Sequence, residues 1–199
     1  MSFNISALVQ SIRFRIAYFL ILALGGFWIS PLWPVFLAVW LFISLFWSYT
    51  KQVEVLSEVE KRVYHISLYF YPILGTFIKI YIFVDWFPNT YFWVNRFEHA
   101  LWAMVLVVLM LPFWKRLWVG LRGLPRYARN DNTIALFITI VGVICLFGNM
   151  VEFVEYGFRL LGGYQYKYAL YYPDTMFDMI SNIVGATAGF LVVAFLTKK

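Results

Sequence analysis

Apolar stretches long enough to cross a hydrocarbon core of about 30 Å recur from one end of this chain to the other. That feature removes most folds from consideration. A chain of 199 residues that is 63% hydrophobic and only 13% charged cannot hide so much apolar surface in a water-soluble core. Lipid must cover it. In lipid each backbone N–H and C=O needs a partner inside the protein, and a helix supplies one for nearly all of them. The expected fold is therefore all-α, a polytopic membrane helical bundle forming one transmembrane domain over residues 1–199.

Hydropathy and punctuation mark about six transmembrane helices, near 14–30, 32–49, 63–85, 91–114, 133–161 and 174–196. The first ends before Pro31 and Pro34, and the third closes at Trp86, Phe87 and Pro88. The first segment lacks a small-residue cleavage site and runs almost directly into the second, so it reads as a span. Orientation follows from Lys and Arg. With the N-terminus inside, the cytoplasmic pieces hold Arg13, Arg15, Lys51, Lys61, Arg62, Lys115, Arg116, Arg122, Arg126, Arg129, Lys198 and Lys199. Only Lys79, Arg96, Arg159 and Lys167 fall on the outer side. Both termini are thus expected to be cytoplasmic. The net charge of +6 follows from this topology and does not point to nucleic acid. The basic stretch from Lys115 to Arg122 reads equally as a segment lying on an anionic leaflet and as a solvated inner loop. Cys145, alone inside the fifth span, has no partner for an internal disulfide.

Laid over that topology, the acids are one-sided. Asp85, Glu98, Glu152, Glu155, Asp174 and Asp178 all fall at outer helix ends, while Glu54, Glu58, Glu60 and Asp131 belong to inner loops. A charge at the centre of a spanning helix costs roughly 2.5–3.5 kcal/mol on insertion scales, so membrane acids normally persist for a function. Helical spacing shows which of them share a face. Asp174, Asp178 and Asn182 step by about 40° and form one stripe, and Glu152 and Glu155 lie about 60° apart with Asn149 extending them inward. Arg96 and His99 are also about 60° apart, whereas Lys79 and Asp85 diverge by about 120°. Spans four, five and six are expected to line one outward-open polar pocket, with Asp85 at its rim. The small residues from Gly185 to Gly189 let a neighbouring helix come close.

One imidazole among several carboxylates is a fitting ligand set for a divalent cation such as Zn²⁺, Mn²⁺ or Mg²⁺. His99, Glu152, Glu155 and Asp178 are the expected metal-binding or proton-handling residues. Arg96 is expected to bind an anionic group, with Glu98, Asp174 and Asn182 supporting substrate binding. Without a metal, His99 can serve as a general base oriented by an acid. Each residue also has a plainer role. Asp174 follows Pro173 and suits a helix cap. Asp178 gains from the helix dipole, and Arg96 can pair with Glu98 or Glu152. Lys79 can snorkel to the interface. His65 suits an interfacial or packed position. Tyr164, Tyr166, Tyr168, Tyr171 and Tyr172 read first as an interfacial anchor and second as a lid over the pocket.

Asn95-Arg96-Phe97-Glu98-His99, then Glu152-x-x-Glu155-Tyr156, then Asp174-Thr175-x-x-Asp178-Met179 through Gly185-Ala186 resemble the YjdF-like bacterial inner-membrane proteins. A more distant likeness is to the VanZ-like proteins, on Asp178, Asn182 and Gly185. The resemblance covers about Asn95 to Gly189. It departs at Asn95, where the family has Asp, and at the Tyr-rich run Gly162 to Tyr172, which replaces a Gly-rich stretch. It implies a place in the cell envelope and the same residue set, but no reaction. Two classes of function follow. One is a metal-assisted hydrolase or transferase acting on a lipid or lipid-linked envelope substrate. The other is a non-catalytic binding, transport or partner-subunit protein whose polar cluster is a structural ion-pair network. Transport is the weaker, since the inner half offers no acidic relay and no inverted repeat.

Overall fold

The computed structural model describes residues 11–27, 33–84, 91–122, 126–162 and 172–197. Among them every regular element is helical. In chain order they are α1 (Ile12–Phe27), α2 (Trp33–Tyr49), a 3₁₀ turn (Gln52–Val55), α3 (Glu58–Val84), α4 (Tyr91–Leu109), α5 (Leu111–Arg122), α6 (Arg126–Gly162) and α7 (Tyr172–Thr197). The chain forms two compact units, Met1–Pro88 and Asn89–Lys199.

Three helices are long and apolar enough to cross a membrane: Phe92–Leu109 within α4, Thr133–Val154 within α6 and Thr175–Leu196 within α7. The chain is a helical membrane protein. Helix α2 is apolar but has 17 residues, about 25 Å at 1.5 Å per residue. Helix α3 has 27 residues and starts five residues before the expected span, because Ser57 and Glu60 form a capping box. The Glu60 carboxylate accepts from the Ser57 backbone N–H at 2.6 Å, and the Ser57 hydroxyl accepts from the Glu60 N–H at 3.4 Å. Just outside the expected span, Lys61 donates to Glu58 at 2.9 Å and holds that carboxyl below its ordinary range.

The expected fourth span, 91–114, is two helices. Pro112 cannot donate to the Val108 carbonyl and its ring crowds that turn, so the ladder breaks at Met110 and restarts at Leu111. Proline is tolerated in the first turn of the new helix, where its missing N–H is not needed. The buried Trp114 indole folds back and donates to the Val107 carbonyl at 3.0 Å, one of the acceptors left over at the end of α4.

In the first unit Trp33 is the keystone. It is 2% exposed, and its indole N–H donates to Thr76 Oγ1 at 2.9 Å. Gly26 and Gly75 face its ring; a Cβ on Gly75 would come within 3.0 Å of the Trp33 ring carbon Cζ2. Arg15, counted among the inner basic residues, is buried. Its guanidinium donates to the Ser44 carbonyl at 3.2 Å, to the Ser44 hydroxyl at 3.1 Å and to the Ser48 hydroxyl.

In the second unit α4 and α7 form the most extensive helix pair, with α6 packed on α7. Small residues make this possible, as the Gly185–Gly189 pattern predicts. Gly185 lies against the Ala100 backbone, where a Cβ would sit 2.7 Å from the carbonyl carbon. A Cβ on Gly189 would lie 2.8 Å from the Met104 carbonyl oxygen. With no side chain between them, the two backbones approach closely and carry the polar ends of both helices into one group.

Candidate functional site

Three helices of the second unit each contribute one potential ligand. Helix α4 supplies His99, α6 supplies Glu152 and α7 supplies Asp178, and one donor atom from each lies within 4.8 Å of the others. His99 Nε2 is 3.2 Å from Asp178 Oδ1 and 3.9 Å from Glu152 Oε1. His99 and Glu152 are largely covered, and Asp178 is 2% exposed. A carboxylate this deep costs several kcal/mol of lost hydration unless it is paired.

Asp178 is paired. Arg96 Nη1 donates to Asp178 Oδ1, and Asn95 Nδ2 donates to the same oxygen at 3.3 Å. Arg96 is itself buried, 7% exposed. Its guanidinium carbon lies 4.7 Å from the Phe92 ring centre and 5.9 Å from that of Phe177, and the two rings meet edge to face. One rung therefore ties α4 to α7 twice, by charge and by aromatic contact.

The helical spacing explains the set. On α4, Asn95 and His99 are about 40° apart and Arg96 about 60° beyond His99, so all three face α7. Glu98 is about 160° from Arg96, on the opposite flank. It is buried, and it lies outside the group formed by His99, Glu152 and Asp178. Arg96 pairs with Asp178, an acid that the expected pairings with Glu98 or Glu152 did not include. Asn182 lies one turn along α7 from Asp178, 1% exposed. Its amide nitrogen rests against Gly148 of α6, where a Cβ would displace it. Its buried Oδ1 has no hydrogen-bond partner among the described residues.

Of the expected site residues, His99, Glu152, Asp178 and Arg96 come together, Asn182 extends the stripe, and Glu98 is buried but is not one of the three grouped ligands. The side chains of Glu155 and Asp174 lie outside the described residues, although their backbones belong to α6 and α7. Asp85, Arg159, as a side chain, and the run from Tyr164 to Tyr171 also lie outside them. Asn95, Phe92, Phe177 and Gly148 were not among the expected contributors. The first was visible as the i,i+4 partner of His99, and Phe92 stands in the same relation to Arg96.

The donor set fits a divalent cation closely but not fully. An ion with four ligands at about 2.0–2.2 Å holds them about 3.3–3.6 Å apart. The His99–Asp178 and His99–Glu152 separations, 3.2 and 3.9 Å, bracket that range. The remaining pair, within 4.8 Å, closes if the Glu152 carboxylate swings inward by roughly 1 Å. One imidazole and two carboxylates, from three helices, make a borderline-to-hard site for Zn²⁺ or Mn²⁺.

The chain matches no protein-family model, no curated protein and no solved structure.

Proposed function

We propose that this chain is a multi-pass protein of the bacterial inner membrane, YjdF-like in its C-terminal half, with six spans and both termini cytoplasmic. Its polar pocket opens outward and performs metal-assisted hydrolysis or group transfer on a lipid or lipid-linked envelope substrate. One observation carries this reading: the convergence of His99, Glu152 and Asp178 from three helices at separations suited to one ion.

His99 Nε2, Glu152 and Asp178 would hold the cation. A bound divalent ion supplies a water of lowered pKa and polarises a phosphoryl or acyl oxygen. Around it the chain's own residues have separate tasks. Arg96 orients an anionic headgroup through its planar fork. Glu155, three residues after Glu152 on the same helix, is assigned to proton handling. Asn182 holds the inner wall with an amide oxygen able to accept a hydrogen bond. The surrounding apolar helices keep bulk water away, which strengthens each of these interactions.

A second reading has its own support. Asp178 Oδ1 already receives Asn95, Arg96 and His99, a well-satisfied arrangement that a purely structural network would also show. Glu152→Gln separates the two, because Glu152 is both a candidate ligand and, 3.9 Å from His99, a member of the ion-pair network. An enzyme loses metal and activity while the fold keeps its thermal stability. A structural network loses stability and never held metal. Labelling of single cysteines introduced near Lys115 and near Gly162 tests the topology: only the second should react from outside intact cells.

A further inference from the structure

The cation group and Arg96 compete for one atom. Asp178 Oδ1 is the oxygen that faces His99 Nε2, and it is also the acceptor for Arg96 Nη1. A carboxylate oxygen has two lone pairs, and here it already serves Asn95 as a third contact. A divalent ion bound at this oxygen would also stand beside a guanidinium in a buried place, where like charges repel strongly. The two cations cannot both keep Asp178 Oδ1.

Charge counting gives the consequence. Over Arg96, His99 as a neutral ligand, Glu152 and Asp178, the net charge is −1 without a cation and +1 with a divalent one. The first state attracts a cation. In the second, the Arg96 Nη1 donor has given up its Asp178 acceptor, and an anion can supply another. Arg96 is well placed to receive it. The rings of Phe92 and Phe177 keep its guanidinium near the site when the Asp178 contact is given up, because cation–π attraction does not depend on that carboxylate. Phe92 and Phe177 are partly exposed, at 37% and 45%, so the guanidinium they flank is in contact with residues that reach the surface. Its donors form a fork that matches two oxygens of a phosphate.

We infer that Arg96 is a displaceable counter-ion: it occupies Asp178 until a divalent cation binds, then turns to a phosphate-type anion, so cation and anion bind cooperatively. This rests on the metal reading above and adds the substrate's chemistry, a phosphoryl-bearing anion that enters after the ion. The anion can be a lipid headgroup or a soluble phosphate. Asn182, buried beside the group with an unpaired oxygen, leaves room in the hydrogen-bonding scheme for an ordered ligand or water there.

The test is Mn²⁺ binding to the full chain in nanodiscs, read from the free-ion electron paramagnetic resonance signal. Three conditions are compared: phosphatidylcholine alone, phosphatidylcholine with inorganic phosphate, and phosphatidylcholine with phosphatidic acid. Wild type, Arg96→Gln and Arg96→Lys are measured in each, with melting curves to show that each variant is folded. The expected result is about tenfold tighter Mn²⁺ binding in wild type when the anion is present, a typical coupling between two sites. Arg96→Gln should bind Mn²⁺ at least as tightly as wild type without anion, and show less than about a twofold anion effect. Arg96→Lys keeps a charge without the fork and should fall between. A response to phosphatidic acid alone identifies a lipid headgroup, and a response to inorganic phosphate identifies a soluble anion. Equal Mn²⁺ affinity with and without anion in wild type overturns the inference and leaves the metal site standing, whatever the variants do. Coupling that persists undiminished in both variants also overturns it. No Mn²⁺ binding in any condition removes the metal reading and this inference together.

Discussion

Gly185→Ala probes the contact on which the whole site depends. Ordinary van der Waals contact for a Cβ begins near 3.4 Å, and the new methyl would lie 2.7 Å from the Ala100 carbonyl carbon and 2.8 Å from its Cα. What it meets is backbone, which cannot rotate aside. The nearest atom is the Ala100 carbonyl oxygen, which the methyl would overlap, so helix α7 must withdraw from α4 by roughly 1 Å or more, or tilt. Overpacking of this kind costs about 1–3 kcal/mol. Part is returned, because alanine in a helix is favoured over glycine by up to about 1 kcal/mol. Gly142→Ala isolates that second effect, since a Cβ there meets nothing within 4 Å. Unfolding in mixed micelles, followed by tryptophan fluorescence, should place Gly185→Ala below Gly142→Ala by about 1–3 kcal/mol. The site should respond too. A withdrawal of that size takes the 3.2 Å His99–Asp178 and 3.3 Å Asn95–Asp178 contacts to about 4 Å, beyond hydrogen-bonding range. Equal stability of the two variants would refute the close α4–α7 approach and the assembly of the site that follows from it.

Other perturbations have equally definite outcomes. Arg96→Gln or Asp178→Asn alone breaks the buried Arg96–Asp178 pair and should cost about 3–5 kcal/mol, while the double variant recovers a large part of the loss. A double-mutant cycle in the same unfolding assay measures it. Trp114→Phe strands the Val107 carbonyl at the end of α4 and should cost about 1–3 kcal/mol, visible as a lowered melting temperature. Ser57→Ala removes one half of the capping box on α3 and should cost about 0.5–2 kcal/mol, with faster amide exchange over the first turn of α3. Metal binding should weaken as pH falls, because ligating imidazole and carboxylate groups must be deprotonated, and isothermal titration at several pH values reads the trend.

Much of this was legible in the chain because the relevant rules are local. A 100° step per residue is enough to place Asp178 with Asn182 and Arg96 with His99, and the small residues at Gly185 and Gly189 announce a close helix contact. The same step puts Glu98 about 160° from Arg96 around α4, in keeping with its place outside the three grouped ligands. Other features depend on partners far away in sequence. Arg15 reads as one more inner charge until Ser44 and Ser48, on the next helix, are seen to receive it. Hydropathy continues smoothly across Met110, so it cannot register a break caused by the missing N–H of Pro112. Phe92 and Phe177 look like members of an interfacial aromatic belt, and only their shared contact with Arg96 gives them a different task. The pairing of Arg96 with Asp178 is of the same kind: the two lie 82 residues apart, and the packing of α7 on α4 brings them together.

The most direct measurement is elemental analysis of the protein purified in detergent and dialysed against metal-free buffer, for wild type, His99→Ala and Glu152→Gln. Near-stoichiometric Zn or Mn in wild type, lost from both variants while their melting temperatures stay near that of wild type, is the predicted result. Metal absent from wild type after reloading with Zn²⁺ or Mn²⁺, together with a fall in melting temperature in both variants, would contradict it and make the group a structural ion-pair network.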